Sequence, residues 1–412
     1  MGDYRLRKLE IGIASAFLAL FVAGGWVQAP KPQEILRQLN GIRSLRNQEA
    51  QSSGKAPDVA AIQREIAEKA REAVRGVTVD KIEARDGVLW AQVFQLAGHH
   101  REACAAAERF LTTNPGPKEK YAAHTLMLRS CAELGEGDTV AALLGQVEPP
   151  DSSAAYAFAT SAAFAYVEPV RKTLGLDGAL RALDAIESKL PTGGSGPEAK
   201  QRGDAARAVL AESRAELLLE AGRKSEAVRL IDEAIAKVGE SPALRNLKAL
   251  KLRAMMLGET APAIVAERTH GTFEGIEALK GKVVLVDFFA HWCGPCIRSF
   301  PDMKQLYADL KPQGLEIVGV TTYYGYYRQE GVEKRDMTRA TEYARMGEFL
   351  REHGIPWPIV YGDRSNFEDY SVSGIPHVAV IDRQGRLHSF KVGYSPQSFQ
   401  ELRKEIEKLL AK

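Results

Sequence analysis

Residues Val283 to Cys296 read VVLVDFFAHWCGPC, and IRSFPDMKQLYADL follows to Leu310. Val283 to Phe288 is a mostly apolar, β-branched run of the kind that forms a strand buried on both faces, with one acid, Asp287, set inside it. The helix-like segment after it places Cys293 at a helix N-terminus. Unpaired N–H groups and the positive end of the helix dipole there favour thiolate over thiol, and can draw a CxxC cysteine from about 8.5 towards about 7. Cys293 is therefore the candidate nucleophile. Cys296, with two residues between it and Cys293 and so within disulfide reach, is the candidate resolving thiol. The rival reading is half of a zinc site, which needs a second cysteine or histidine pair at suitable spacing. His291 and His377 are available for one, but no such pair follows closely, and strand, CGPC and helix in that order fit dithiol chemistry better. Neither a metal nor a cofactor is expected.

A second segment, GIPHVAVIDRQGRL from Gly374 to Leu387, agrees with LKGKVVLVDFFAHWCGPC. Together they resemble the thioredoxin superfamily and, within it, the TlpA/ResA-like extracytoplasmic thiol-disulfide oxidoreductases. The resemblance spans about 262–412, a little over a third of the chain. It implies a cis-proline loop beside the CxxC at Pro376, with Ile375 presenting backbone to a bound substrate strand and Trp292 on the same substrate surface. It implies that Asp287 accepts the proton of Cys296, a task that burial suits it to by raising its pKa. Pro301 matches a kinking proline in the active-site helix. Gly294-Pro295 is the dipeptide of thioredoxins, whose potential near −270 mV makes them reductants. The resemblance thus implies reduction of protein disulfides, fed by an upstream membrane or periplasmic thiol donor.

Three features depart from the family: Phe289 where tryptophan is frequent, His377 where threonine is frequent, and a long segment, Thr322 to Trp357. That segment begins with TYYGYYRQEGVEKRD, and Tyr326 and Tyr327, with Tyr323 and Tyr324, offer flat, amphipathic contact area for an extended peptide. The bland alternative is that these tyrosines cover the sheet edge.

Upstream, Arg5, Arg7 and Lys8 precede an uncharged apolar run, residues 11–27. At 1.5 Å per residue it reaches about 25 Å, near the lower limit for a hydrocarbon core of about 30 Å. Residues 1–29 therefore read as an export or anchoring segment, with the basic flank inside and the rest of the chain extracytoplasmic. Val27-Gln28-Ala29 resembles a cleavage site, but Pro30 directly after it favours a retained anchor. Residues 30–58 read as a linker around a short helix, EILRQLNGIRSL.

Residues 59–257 are rich in Ala, Leu, Glu and Arg at helical spacing. The sets Gly98, Ala103, Phe110, Pro115, then Ala179, Leu183, Ile186, Pro191, then Gly222, Ala227, Ile231, Ala234 resemble tetratricopeptide-like helical hairpins. Val140, Leu144 and Val147 make a weaker copy. Such an array offers a face for a protein partner, or acts as a spacer. Cys104 and Cys131 fall on successive helices and either pair in an oxidising compartment or serve as small buried residues. His99 and His100 lie at a turn and read as solvated.

The expected fold is thus an all-α helical-repeat region followed, over residues 262–412, by an α/β domain with a central mixed sheet. A net charge of +2 on 412 residues gives no reason to expect nucleic acid. The functional expectation is an exported, CGPC-dependent reductant of protein disulfides. A helical-repeat adaptor with a secondary redox domain is the alternative, and no peroxidatic cysteine signature stands apart from the CGPC.

Overall fold

The computed structural model describes residues 31–53, 57–191, 196–239, 242–329, 332–334 and 336–411. The expected export or anchoring segment, 1–29, lies outside the described residues. Among those described, no helix is long and apolar enough to cross a membrane. The chain divides into two compact units, Met1–Thr139 with Gln146–Glu148, and Val140–Gly145 with Pro149–Lys412.

Helices lead the chain: α1 (Pro32–Ser52), α2 (Val59–Ala73), α3 (Gly87–Ala97), α4 (His100–Leu111), α5 (Pro117–Glu133), α6 (Gly137–Gln146), α7 (Ser152–Ala165), α8 (Val167–Glu187), α9 (Pro197–Glu220), α10 (Lys224–Lys237) and α11 (Pro242–Met256). In the first unit, α1 is longer than the short helix expected between residues 30 and 58. Ile35 and Leu39, one turn apart, are buried where α1 packs on α2 and α3, and that coverage outweighs the helix-weakening Asn40-Gly41. Gly98 (φ 78°) closes α3 in the left-handed region. Gly87 marks where α3 meets α4, since a Cβ there would lie 2.4 Å from the Ala106 carbonyl oxygen. His99 is half-buried with its ring stacked on Phe94, so the solvated reading of that turn is corrected: the neighbouring aromatic covers it.

In the second unit, Gly222 (φ 75°) turns α9 into α10, and Ala227 and Ile231 are buried in a cluster with Ala215, Leu218 and Leu247. Ala179, Leu183 and Ile186 are buried on α8 after an interruption at Gly175.

The same unit holds a six-stranded sheet in the order β1-β6-β3-β2-β7-β8. Its strands are β1 (Arg268–His270), β2 (Val283–Phe288), β3 (Leu315–Thr321), β6 (Ile359–Tyr361), β7 (His377–Ile381) and β8 (Leu387–Val392). The central β2 and β3 are parallel, as are β3 and β6, whereas β7 and β8 run antiparallel. The mixed sheet is thus present. A separate hairpin, β4 (Tyr327–Gln329) with β5 (Val332–Lys334), rises from the tyrosine segment. Helices α12 (Gly294–Leu310), α13 (Arg339–His353) and α15 (Pro396–Leu410) cover one face, with α14 (Ser365–Asp369) following β6. Val283 and Leu285 pack with Phe300, Leu306 and Ile406, while Val284, Val286 and Phe288 pack with Ile264 and Tyr370. Alternation along β2 therefore turns Asp287 towards α12.

Candidate active site

Cys293 caps α12: its sulfur accepts the backbone N–H of Cys296 at 3.3 Å, in a helix whose first residues are Gly294 and Pro295. Extended backbone at Cys293 (φ −80°, ψ 97°) ends the chain's run off β2 and starts the helix. The two cysteines are joined as a disulfide, with Cα atoms 5.3 Å apart. Cys293 retains 4% exposure and Cys296 none, so the first sulfur is the accessible one. Pro301 lies inside α12.

Register brings the second segment of the sequence alongside. Phe288 pairs with His377, so Pro376, the residue before β7, falls beside the end of β2 from which the CGPC turn leaves. The Ile375–Pro376 peptide is cis.

Asp287 is 2% exposed, and burial pushes its carboxyl up to about 7. One of its oxygens has no hydrogen-bond partner among the described residues. It lines a cavity of about 30 Å³ with Ser299, Met303, Pro376, Lys391 and Tyr394. A group held near neutrality, on the α12 side of β2 and beside Pro376, is equipped to take and release a proton at physiological pH.

His291 and His377 belong to separate aromatic groups. His377 is fully buried between Phe288 and Phe390, and burial holds its imidazole down near a pKa of about 3. His291 stacks on Tyr327 at 4.6 Å between centroids, with Tyr324 and Tyr326 at its edge, and burial lowers it to about 4. Both rings are therefore neutral at pH 7.

The tyrosine segment divides its labour. Tyr327 is buried under His291, so its ring is unavailable to a substrate, and the expectation that it offers contact area beside Tyr326 is corrected. Tyr326 is half-exposed and lines an open hollow with Tyr324, Asp336, Met337 and Thr338. Tyr324 meets the indole of Trp292 edge-on at 5.3 Å, and Trp292 is 37% exposed beside the disulfide. Tyr323 covers Tyr361 of the sheet, as the bland reading had it.

Two groups escaped the sequence reading. Glu342, buried on α13, accepts the backbone N–H groups of Tyr324 and Gly325 at 2.9 and 3.0 Å and pins the segment's turn, where Gly325 is left-handed (φ 74°). A glutamate in a first helical turn resembles an ordinary end charge, so no local signal marks it. Arg253, buried on α11, donates to the Ser371 carbonyl at 3.2 Å and to Ser373 Oγ at 3.3 Å, in the approach to the cis-proline. Ser371 returns a bond to the Ala249 carbonyl at 3.0 Å. Lys391 on β8 pairs with Glu220 of α9 at 3.0 Å.

A mixed sheet with a CxxC at the N-terminus of its first covering helix and a cis-proline alongside defines a thiol-disulfide oxidoreductase of thioredoxin type. A family model described as Redoxin matches residues 256–410. The chain is 31% identical over 142 residues to "Thiol-disulfide oxidoreductase ResA" of Bacillus subtilis, covering 34% of this chain and 70% of the relative. It is 29% identical over 160 residues to "Thiol:disulfide interchange protein HelX" of Rhodobacter capsulatus, covering 38% and 78%. A solved structure of a putative thiol:disulfide interchange protein DsbE from Chlorobium tepidum matches with TM-score 0.32 and 26% identity over 37% of this chain and 97% of that one. The chain belongs to the TlpA/ResA-like family of the thioredoxin superfamily.

Proposed function

We propose that the protein reduces disulfides in other proteins, outside the cytoplasm, through the Cys293–Cys296 dithiol. The Cys293 thiolate attacks a substrate disulfide, expelling one substrate sulfur and forming a mixed disulfide. Cys296 then gives its proton to Asp287 and attacks Cys293, releasing the second substrate thiol and leaving the Cys293–Cys296 disulfide. An upstream thiol donor returns two electrons and two protons to reset it. Ile375 and Pro376 present backbone to the substrate, while Trp292 and Tyr326 supply its flat contact surface and Tyr327 backs it.

The single observation that carries the reading is the Cys296 N–H donated to Cys293 sulfur at the head of α12, because that donor favours the thiolate on one cysteine and not the other. Residues 11–27 serve as the membrane anchor, residues 59–257 as a tetratricopeptide-like array open to a protein partner, and residues 262–412 as the redox domain. The decisive experiment is equilibration of Cys293–Cys296 against a glutathione or dithiothreitol buffer. A potential near −270 mV supports reduction, and one near −120 mV reverses the direction of electron flow.

A further inference from the structure

Cys104 on α4 and Cys131 on α5 are free thiols whose sulfurs stand 3.3 Å apart. Their separation of 27 residues spans the turn between the two helices. Cys131 is buried, whereas Cys104 is half-buried, with its sulfur also 3.8 Å from the Met127 carbonyl oxygen. Small neighbours, Ala103 and Ala107, let α4 lie close to its partner helices. Closing the remaining gap to a bonded distance of about 2.05 Å takes a movement of little more than an ångström, within the range of side-chain rotation. The shared S–H···S contact lowers the Cys104 thiol and raises that of Cys131, giving the two sulfurs unequal roles.

We propose that Cys104 and Cys131 form a second dithiol, independent of the CGPC, that an external disulfide of the glutathione or protein class oxidises to a covalent staple between α4 and α5. Cys104, the accessible sulfur, attacks the external disulfide RSSR; its S–S bond breaks, a Cys104–SR bond forms and one RSH departs. Cys131 then loses its proton and attacks the Cys104 sulfur, the Cys104–SR bond breaks and the second RSH leaves. Two thiols are oxidised, one RSSR is reduced, and two electrons and two protons pass to it. The staple closes a loop of 27 residues and restricts the unfolded chain.

The test uses the full chain carrying Cys293→Ser and Cys296→Ser, so that every remaining thiol belongs to this pair. It is incubated with oxidised glutathione, alkylated with a maleimide in denaturant and digested for mass spectrometry. Loss of both thiols together, a linked peptide joining Cys104 to Cys131, and a Tm higher than that of the reduced chain by roughly 5–10 °C are the expected results. The Tm rise is absent when Cys104→Ala is added. Quantitative alkylation of both cysteines, or a glutathione adduct that persists on Cys104, overturns the proposal. A linked peptide with no Tm change overturns its stapling role. The peptide analysis needs no substitution at either cysteine, so it decides the matter even if the alanine variant fails to fold.

Discussion

At the scale of single residues, the two sulfurs of the CGPC are chemically unequal because only Cys293 sits where α12's free N–H groups converge, while Cys296 is enclosed. Cys293→Ser is expected to abolish disulfide reduction, and Cys296→Ser to accumulate mixed disulfides visible on non-reducing gels; normal turnover by the second variant sinks the assignment. The burial of Asp287 carries a stability consequence beside the proton-accepting role proposed for it. Its folded pKa, about 7, lies above its unfolded value of 3.8, so its contribution to stability is full below pH 3.8 and is lost as pH rises through 7. Asp287→Asn should therefore flatten the decline in denaturant-measured stability between pH 4 and 8, while slowing neutral turnover by about 10² to 10⁴-fold at most. An unchanged pH–rate profile assigns Asp287 a structural role. The acid was legible from its place in an otherwise apolar strand, because a charge inside such a run needs a reason. That one of its oxygens lacks a hydrogen-bond partner among the described residues was not legible, since that depends on what α12, β7 and β8 leave around it.

Among the elements, the tyrosine segment is held from behind. Glu342 on α13 fixes its turn, and the His291–Tyr327 stack forms its floor. Tyr326→Ser should lower kcat/KM for a protein substrate several-fold and leave reduction of a small-molecule disulfide unchanged, if the surface beside Trp292 reads peptides. Tyr327→Ser should behave differently. Removing a buried ring costs about 3–5 kcal/mol, and both activities should fall together with stability. Equal losses from Tyr326→Ser in the two assays remove Tyr326 from the proposed substrate contact surface. In this half of the chain an apolar run, alternation or a cap shows in the sequence itself at β3, at β6, at β8 and at α15, whose cap is Ser395. The largely polar β1 (RTH), β4 (YRQ) and β5 (VEK) were not legible, because none carries the continuous apolar run that marks the equally short β6 (IVY).

For the molecule as a whole, helices α7 to α11 share one compact unit with the sheet domain. Arg253 of α11 reaches the Ser371 carbonyl, Glu220 of α9 holds Lys391, and the Gly258 N–H donates to the Leu387 carbonyl at 2.7 Å. A buried hydrogen bond from a charged donor contributes about 1.5–3 kcal/mol. Residues 262–412 expressed alone should consequently melt roughly 5–10 °C below residues 149–412, measured by circular dichroism with both chains oxidised. Equal melting temperatures restrict the helices to a role outside the stability of the redox domain.

The sequence alone determined the local chemistry: a buried strand, a CGPC at a helix start, a proline before a second strand, and alanine-rich helices punctuated by glycine. These are decided by residue periodicity, turn preference and helix electrostatics, which act over a few positions. Only the tertiary structure decided which groups meet. Pro376 stands beside β2 through strand register, Glu342 finds two backbone donors on another element, and Cys104 faces Cys131 across two helices. Each depends on packing between segments distant along the chain, where the free energy of burial, not local preference, selects the neighbour.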